Sequence, residues 1–452
     1  MSRADPVLRR LIDNRLMRNL QPPAVLALLY AVLIVLGALA LMLPVSTTAP
    51  IRFVDAMFTA TSAVTVTGLA VIDTELGLTF FGQVVVATLI QLGGLGLMTF
   101  AVLIMAVLGL PVGLGQEVYL REDLKQTSMH QLTRMSSNIF RIVLVAEVAG
   151  ALLLCLSFVP TTGLWPGIWH AVFHSISAFN NAGFSTFSSG LVPYATDPII
   201  NLVIPVMFIT GGIGYGVTVE IMNGRGWHHY SLHVKMMLIG TAVLIVLGVG
   251  LFALLEWNNP ATLGQYQYVS ERLMVSWFQG VTPRTAGFNT TDIGATHDAT
   301  ALMMIALMVI GGGSASTAGG LKVTTMVVLV LATIAFFRRQ TQPSAFGRSI
   351  GQDQIMKVMA LVAIASVLIF LGIFVVTATH DGHFLDIVFE VASAFGTTGL
   401  SRGYTPQLND IGRWVIMFIM FLGRVGPLTL GFFLATRTTP RVRYPQGTVF
   451  LG

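Results

Sequence analysis

The sequence predicts an all-α polytopic membrane fold with eight transmembrane helices, organised as four tandem units of helix, short half-helix, loop and helix. Three observations lead to this prediction: the amino-acid composition, the long uncharged runs and a glycine motif that occurs four times. Of the 452 residues, 54% are hydrophobic and 10% are charged, whereas soluble domains contain about 25% charged residues. We therefore expect the chain to lie in a lipid bilayer.

Apolar runs without charged residues recur along the chain. Examples are residues 24–43, 78–110, 236–255 and 358–379. Each run is long enough to cross about 30 Å of hydrocarbon as a helix. Such runs are too numerous for a single anchor, so the chain should cross the membrane many times.

The basic residues indicate the orientation. The net charge is +5, and Lys and Arg are concentrated in the N-terminus, the C-terminal tail and residues 111–141, 223–235 and 338–357. Short basic loops mark the cytoplasmic side of a membrane protein, so both termini are expected in the cytoplasm. These residues form no basic face on a soluble domain, so we expect no nucleic-acid partner.

Two further features narrow the class of protein. No small-residue cleavage site follows the first apolar run, which argues against a removable signal peptide. The only cysteine, Cys155, lies within an apolar run, so neither a disulfide framework nor a cysteine-ligated metal cluster is expected. The chain is expected to be a multi-pass protein of the inner or plasma membrane.

A glycine motif recurs at intervals of 104 to 115 residues. It reads TVTGL at 65–69, NNAGF at 180–184, RTAGF at 284–288 and GTTGL at 396–400. Its glycines are Gly68, Gly183, Gly287 and Gly399. Ten residues before them stand the aromatic residues Phe58, Phe173, Trp277 and Phe389. The three phenylalanines are expected to pack behind the half-helices. This fixed spacing indicates a fourfold internal repeat.

Each repeat reads as a full span, about a dozen apolar residues that are too short to cross, the glycine motif and a second full span. Non-helical backbone at membrane depth is tolerated only where protein buries it or where it lines a watery cavity. The four loops are therefore expected to meet on one axis, as a pore with pseudo-fourfold symmetry. The predicted repeats are 24–110, 135–222, 236–337 and 358–436, and the predicted cytoplasmic segments are 1–23, 111–134, 223–235, 338–357 and 437–452.

The chemistry of the four loops suits a cation. Rings of backbone carbonyls can replace the water shell of an ion, and glycine adopts the unusual backbone angles that aim consecutive carbonyls at one axis. The C-terminal end of each half-helix would add partial negative charge. The motifs contain no Asp or Glu, so carbonyl oxygens are the expected ligands. The predicted filter consists of Val66, Thr67, Gly68, Asn181, Ala182, Gly183, Thr285, Ala286, Gly287, Thr397, Thr398 and Gly399.

Further motifs accompany these loops. They include HSISAFNNAGF, GGGSASTAGGLK at 311–322, SAFGTTGL and GRVGPLTL at 423–430. In this order and with these gaps, they resemble the Trk/Ktr/HKT superfamily of potassium transporters, most closely the membrane subunits of Ktr systems. The resemblance covers nearly the whole chain.

The resemblance implies uptake of potassium ions that is dependent on Na⁺ or stimulated by it. Members with glycine in all four filter loops prefer K⁺, which the carbonyl oxygens of Thr67, Ala182, Ala286 and Thr398 would bind. A gate is implied in the glycine-rich loop, where a stable helix is disfavoured. The implied gate residues are Gly311, Gly312, Gly313, Ser314, Ala315, Ser316, Thr317, Ala318, Gly319, Gly320, Lys322 and Arg424.

The resemblance also implies partners. Ktr membrane subunits form homodimers on a cytosolic ring of RCK-type, nucleotide-binding regulatory subunits. This chain shows no strand followed by GxGxxG and no soluble segment long enough for such a domain. We therefore expect no cofactor in this chain, and a nucleotide only on the separate regulatory subunit.

Two other functions compete with this one. A secondary-active cation symporter with alternating access is the main alternative, although carriers usually have two inverted halves around one site. A membrane enzyme is disfavoured, because the histidines that follow Ser314, His380 and His383, lie in an outward loop. The sequence does not decide whether transport is coupled to Na⁺.

Several polar residues allow more than one interpretation. Asn180 and Asn181 could offer side-chain oxygens to the ion or simply adopt left-handed backbone. Arg284 is expected to point behind the filter and brace its carbonyls. The glycine clusters that begin at Gly93 and Gly211 more often serve close helix packing.

Overall fold

The computed structural model describes residues 22–96, 129–224, 226–340 and 342–426. Within these ranges the chain is mostly helical, as the sequence predicts, and its one sheet pairs β1 (Ser344–Ala345) with β2 (Arg348–Ser349) in antiparallel register. The predicted cytoplasmic segments 1–23, 111–134 and 437–452 lie wholly or largely outside the described residues, as do the ends of the first and fourth predicted repeats, 97–110 and 427–436.

The described part of the first predicted repeat, up to residue 96, contains three helices. The apolar helix α1 (Pro22–Leu41) is followed by the short helix α2 (Phe53–Val64) and by α3 (Phe80–Gly94). The side chain of Thr79 caps α3 by accepting a hydrogen bond from the Gly82 N–H, which satisfies one of the free donors at the helix start.

The second predicted repeat contains a break that the sequence did not indicate. The long helix α4 (Met129–Thr162) leads into the short α5 (Leu164–Phe179), and then α6 (Pro198–Ile213) is followed by α7 (Tyr215–Met222). The chain bends by 101° between the last two. Gly214 between them has φ of 106°, a conformation that glycine adopts without steric cost. The expected second span is therefore bent here.

The third predicted repeat is interrupted in its second half. A single turn, α8 (Gly226–His229), lies before it in the predicted cytoplasmic segment 223–235. The repeat itself contains the long helix α9 (Leu232–Glu256), which begins four residues earlier than predicted, and α10 (Val269–Val281). The glycine-rich segment then separates α11 (Asp298–Val309) from α12 (Val323–Phe337). This segment is not helical, which agrees with its composition.

The described part of the fourth predicted repeat, up to residue 426, contains the long helix α13 (Gln352–Thr379), the short α14 (Phe384–Gly396) and α15 (Asp410–Val425). Single 3₁₀ turns lie in the connections of the last three repeats, at Val192–Tyr194, Leu263–Gln265 and Thr405–Gln407.

Three helices of the described chain are long and apolar enough to cross a membrane: the Asn138–Thr162 part of α4, α9 and α13. The bent pair of α6 and α7 would make a fourth if it forms one span, and α1, α2, α3, α11 and α12 are shorter apolar helices. The long helices leave large apolar side chains exposed, such as Leu254, at 75%, and Phe370, at 66%. The predicted total of eight crossings remains a prediction.

Four buried clusters interlock the predicted repeats. The cluster around α1, α2 and α3 includes Phe173 of α5, and the cluster around α4, α5 and α6 includes Phe278 of α10. The cluster around α9, α10 and α11 includes Phe389 of α14, and the cluster around α13, α14 and α15 includes Phe58 of α2. Each short helix therefore packs into the core of the preceding repeat, and the first packs into the core of the fourth.

Candidate ion site and gate

The four glycine motifs follow directly after the short helices α2, α5, α10 and α14. Two residues before each motif glycine, the backbone turns left-handed, with φ of 51°, 58°, 63° and 50° at Val66, Asn181, Thr285 and Thr397. The motif glycines themselves have φ of 94°, 68°, 77° and 92°. The loops thus share one backbone shape despite their different sequences.

This shape is strained at three of the four loops. Positive φ is an outlier for β-branched residues such as Val66, Thr285 and Thr397, and a left-handed residue of this kind costs about 1–3 kcal/mol. Such strain persists only where the surrounding structure imposes it. Only Asn181 belongs to a residue type that is enriched in this conformation. Of the two interpretations of Asn181, the structure therefore supports the one in which it adopts left-handed backbone.

The amide groups of the loops bond back into the short helices. The N–H groups of Thr67, Ala182 and Thr398 each donate to the carbonyl five residues earlier at 2.8 Å, and Ala286 N–H donates to Thr282 O at 3.1 Å. Among the described residues, no donor reaches the carbonyl oxygens of the four residues that precede the glycines. Buried carbonyls nearly always have partners, so these oxygens are available to a ligand between the loops.

The motif glycines succeed one another around a ring. A Cβ atom placed on Gly68 would lie 3.1 Å from the Cα of Gly183, and one on Gly183 would lie 2.8 Å from the Cα of Gly287. A Cβ on Gly287 would collide with the carbonyl oxygen of Thr398, and one on Gly399 would lie 3.0 Å from the Cα of Gly68. The four backbones are therefore in contact, and side chains are excluded from the ring.

The glycine-rich segment 311–320, predicted as a gate, is hydrogen-bonded to the left-handed residues of two of these loops, and one of those residues is bonded to a third loop. Thr317 Oγ1 donates to Asn181 Oδ1 at 2.7 Å, and the Gly319 N–H donates to Thr397 Oγ1 at 3.1 Å. The amide of Asn181 in turn donates to Thr285 Oγ1 at 3.2 Å. The shape of the candidate filter and the position of this segment are therefore linked by hydrogen bonds.

The backbone of segment 311–320 is anchored to neighbouring helices. Gly313 N–H donates to Gly212 O at 2.7 Å, and Gly320 N–H donates to Gly423 O at 3.2 Å. Lys322 Nζ donates to the Ala318 carbonyl at 2.6 Å. The two backbone bonds join the non-helical segment to α6 and α15, and the lysine bond joins it to the start of α12.

Arg424, in the last turn of α15, connects three parts of the site. Its guanidinium donates to the Thr317 carbonyl, to Gly93 O at 2.5 Å and to Gly94 O at 3.2 Å. The last two oxygens lie at the C-terminal end of α3, where partial negative charge favours a cation. A cavity of about 380 Å³ adjoins this contact, with Tyr30 and Lys322 in its wall.

The profile of the TrkH family, described as a cation transport protein, matches residues 25–438. This chain belongs to the TrkH family. Since this is a transporter family and the chain carries long apolar helices, it is a membrane protein. The resemblance that the motifs indicate is thereby confirmed.

Individual relatives of this TrkH-family chain match over nearly their whole length. It is 46% identical to the Ktr system potassium uptake protein B of Bacillus subtilis, over 95% of this chain and 97% of the relative. It is 36% identical to the protein of that name from Vibrio alginolyticus, over 95% of each. It is also 36% identical to the potassium/sodium uptake protein NtpJ of Enterococcus hirae, over 98% and 100%.

A solved structure shows the same fold. The crystal structure of the potassium transporter TrkH from Vibrio parahaemolyticus matches this TrkH-family chain with a TM-score of 0.74 at 22% identity, over 95% of this chain and 88% of that one.

Two buried charged groups of the TrkH-family chain lie beside the loops. The sequence predicts that Arg284 braces filter carbonyls, but its guanidinium instead lies 3.5 Å from Thr241 Oγ1 of α9. The carboxylate of Glu147, for which the sequence suggested no role, accepts hydrogen bonds from Gln91 at 3.2 Å and from Asn180 at 3.1 Å. Glu147 therefore joins α3, α4 and the end of α5 beside the second loop.

Proposed function

We propose that this chain is the ion-translocating pore subunit of a Ktr-type system that takes up potassium ions across the cell membrane. The observation that carries the proposal is the ring of four glycine loops, whose amide groups bond backward while four carbonyl oxygens accept no bond from described residues. Relatives named as Ktr system potassium uptake proteins, at 46% and 36% identity, support the choice of ion.

In this proposal K⁺ binds the carbonyl oxygens of Thr67, Ala182, Ala286 and Thr398. A ring of carbonyls can replace the hydration shell of an ion. The four short helices act as pore helices, and the partial negative charge at their C-terminal ends favours a cation. The other filter residues hold this geometry through their strained backbone.

The proposed architecture has four repeats and eight membrane crossings around a pseudo-fourfold pore. The cyclic packing of each short helix into the core of the preceding repeat supports it. The distribution of Lys and Arg favours cytoplasmic termini. The relatives named as parts of a Ktr system support a partner subunit, which we propose to be a nucleotide-binding RCK-type ring beneath a homodimer of this chain.

Segment 311–320, with Lys322 and Arg424, is proposed as the gate. Opening would require loss of the contacts that Thr317 and Gly319 make with Asn181 and Thr397. It would also require Arg424 to release the Thr317 carbonyl. The gate and the filter would then respond to one another, because filter side chains are hydrogen-bonded to the gate.

A Na⁺-coupled pathway is the second candidate. It is favoured by the name of one relative at 36% identity, a potassium/sodium uptake protein. Uptake of K⁺ that stops when Na⁺ is withdrawn would support coupling, and uptake that is unaffected would exclude it.

The test is uptake of K⁺ or Rb⁺ by cells that lack their own potassium transporters, with and without Na⁺. Gly183→Asp would place a carboxylate in the ring and should abolish uptake while the amount of protein in the membrane stays unchanged. The matched control is Gly163→Asp, since Gly163 also has positive φ but has open space around it. Normal uptake by Gly183→Asp would contradict the assignment of the filter.

A further inference from the structure

A side-chain contact recurs on the other side of the filter glycine. In α5, His174 lies nine residues before the motif glycine, and its Nε2 lies 3.0 Å from the hydroxyl of Ser185, two residues after that glycine. In α14, Glu390 occupies the same position, and its carboxylate accepts from the hydroxyl of Ser401 at 2.8 Å, again two residues after the glycine. Two chemically different groups therefore make one equivalent contact.

Both serines also make the same second bond. Ser185 Oγ accepts from the Phe187 N–H at 3.0 Å, and Ser401 Oγ accepts from the Gly403 N–H at 3.1 Å. Phe187 and Gly403 stand four residues after their glycines. Each serine thus joins the turn after the filter loop to the short helix before that loop.

The chemistry of the two helix residues fits an acceptor role. His174 Nδ1 lies 2.8 Å from the carbonyl of His170, which can only accept, so the ring hydrogen is on Nδ1 and Nε2 accepts from Ser185. The carboxylate of Glu390 also accepts from the Thr405 hydroxyl. Both side chains are fully buried, where polar groups are costly unless they are hydrogen-bonded.

The other two repeats differ in an informative way. In the third, the amide of Gln279 lies 3.2 Å from the hydroxyl of Thr290, which connects the same two regions with the register shifted by one residue. In the first, Thr59 donates to its own helix at Asp55 O, and the residue two positions after the glycine is Ala70. The first loop reaches the ring without this contact, so closing the ring does not require it.

We propose that His174 and Glu390 are positioning residues. They hold in place the part of each filter loop that follows the glycine, and so determine how well the filter discriminates between K⁺ and Na⁺. The contacts His174–Ser185, Gln279–Thr290 and Glu390–Ser401 are called the post-glycine clamp. This inference rests on the ion site proposed above. The backbone amides hold each filter loop before its glycine, and the clamp holds three loops after it. Selectivity depends on the size of the carbonyl cage, or on the number and field strength of the carbonyl dipoles that bind the ion. Each of these quantities changes when the residues after the glycine are free to move.

The test compares the clamp with a buried carboxylate elsewhere. Glu390→Gln and Ser401→Ala each remove part of the clamp. Glu256→Gln and Thr262→Val are the controls, because Glu256 is also fully buried and accepts from the Thr262 hydroxyl at 2.7 Å, at the end of α9. Initial rates of K⁺ and Na⁺ uptake are measured on the full chain in cells, at matched amounts of membrane protein.

Both clamp variants should lower the ratio of K⁺ to Na⁺ uptake by about tenfold, equal to about 1.4 kcal/mol, and both controls should leave that ratio unchanged. If Glu390→Gln lowers the amount of folded protein, Ser401→Ala, which removes a single hydroxyl, decides the question. A ratio in the clamp variants equal to that of the controls would overturn the proposal. Failure of the ion site itself is seen separately, as normal uptake by Gly183→Asp.

Discussion

Replacing Gly183 with alanine tests the close approach of the filter loops. Gly183 has φ of 68°, and an added Cβ would lie 2.8 Å from the Cα of Gly287 and 3.0 Å from the carbonyl oxygen of Ala286. Left-handed backbone costs alanine about 1–2 kcal/mol. Favourable contacts between carbon atoms begin near about 3.5 Å, so one of the two loops must move by about 0.7 Å. The carbonyl oxygen of Ala286 should be displaced with it.

Gly163→Ala is the control that separates the cost of left-handed backbone from the effect of the contact between the loops. Gly163 has φ of 91°, is exposed, and a Cβ there would meet nothing within 4 Å. Both variants should lose about 1–2 kcal/mol of stability, a factor of roughly 5–30 in the folding equilibrium, seen as a lower melting temperature in detergent. Only Gly183→Ala should also lose most of its Rb⁺ uptake per folded molecule. Equal uptake per folded molecule in the two variants would refute the reasoning.

Three further predictions concern the gate and the buried carboxylate. Deleting residues within 312–319 should raise K⁺ flux, and a folded deletion variant that conducts no faster would count against a gate. Thr317→Val removes the hydroxyl that donates to Asn181, a hydrogen bond worth about 1 kcal/mol. The K⁺ uptake rate should rise up to about fivefold. An unchanged rate would show that this bond does not couple the glycine-rich segment to the filter. Glu147→Leu leaves the amides of Gln91 and Asn180 without this acceptor and should lower the melting temperature more than Glu147→Gln does. Equal melting temperatures in the two variants would show that these hydrogen bonds do not stabilise the fold.

The repeat could be predicted from sequence because its signal is spacing. Gly68 and its three equivalents stand ten residues after an aromatic residue, and the structure brings all four loops together. At three of the four loops, the left-handed backbone two residues before the glycine could not be predicted. It depends on the tertiary surroundings, and Val66, Thr285 and Thr397 belong to residue types that disfavour it.

The bend at Gly214 could not be predicted, because glycine serves two different purposes in this part of the chain. Gly211 allows close packing, since a Cβ there would collide with the Phe179 carbonyl, whereas Gly214, three residues later, ends the helix with positive φ. The sequence shows two glycines and does not distinguish them. The post-glycine clamp was missed for the opposite reason, because His174 and Glu390 perform one task with different chemistry and so form no motif.

The central claim is that the four loops bind a potassium-like ion through their carbonyl oxygens. The most direct measurement is anomalous diffraction from crystals of this protein grown in Rb⁺, an ion that scatters anomalously and substitutes for K⁺. The account predicts an anomalous peak on the axis of the ring, surrounded by the carbonyl oxygens of Thr67, Ala182, Ala286 and Thr398. A ring without a peak, with Rb⁺ bound instead beside a carboxylate such as Glu147, would contradict it.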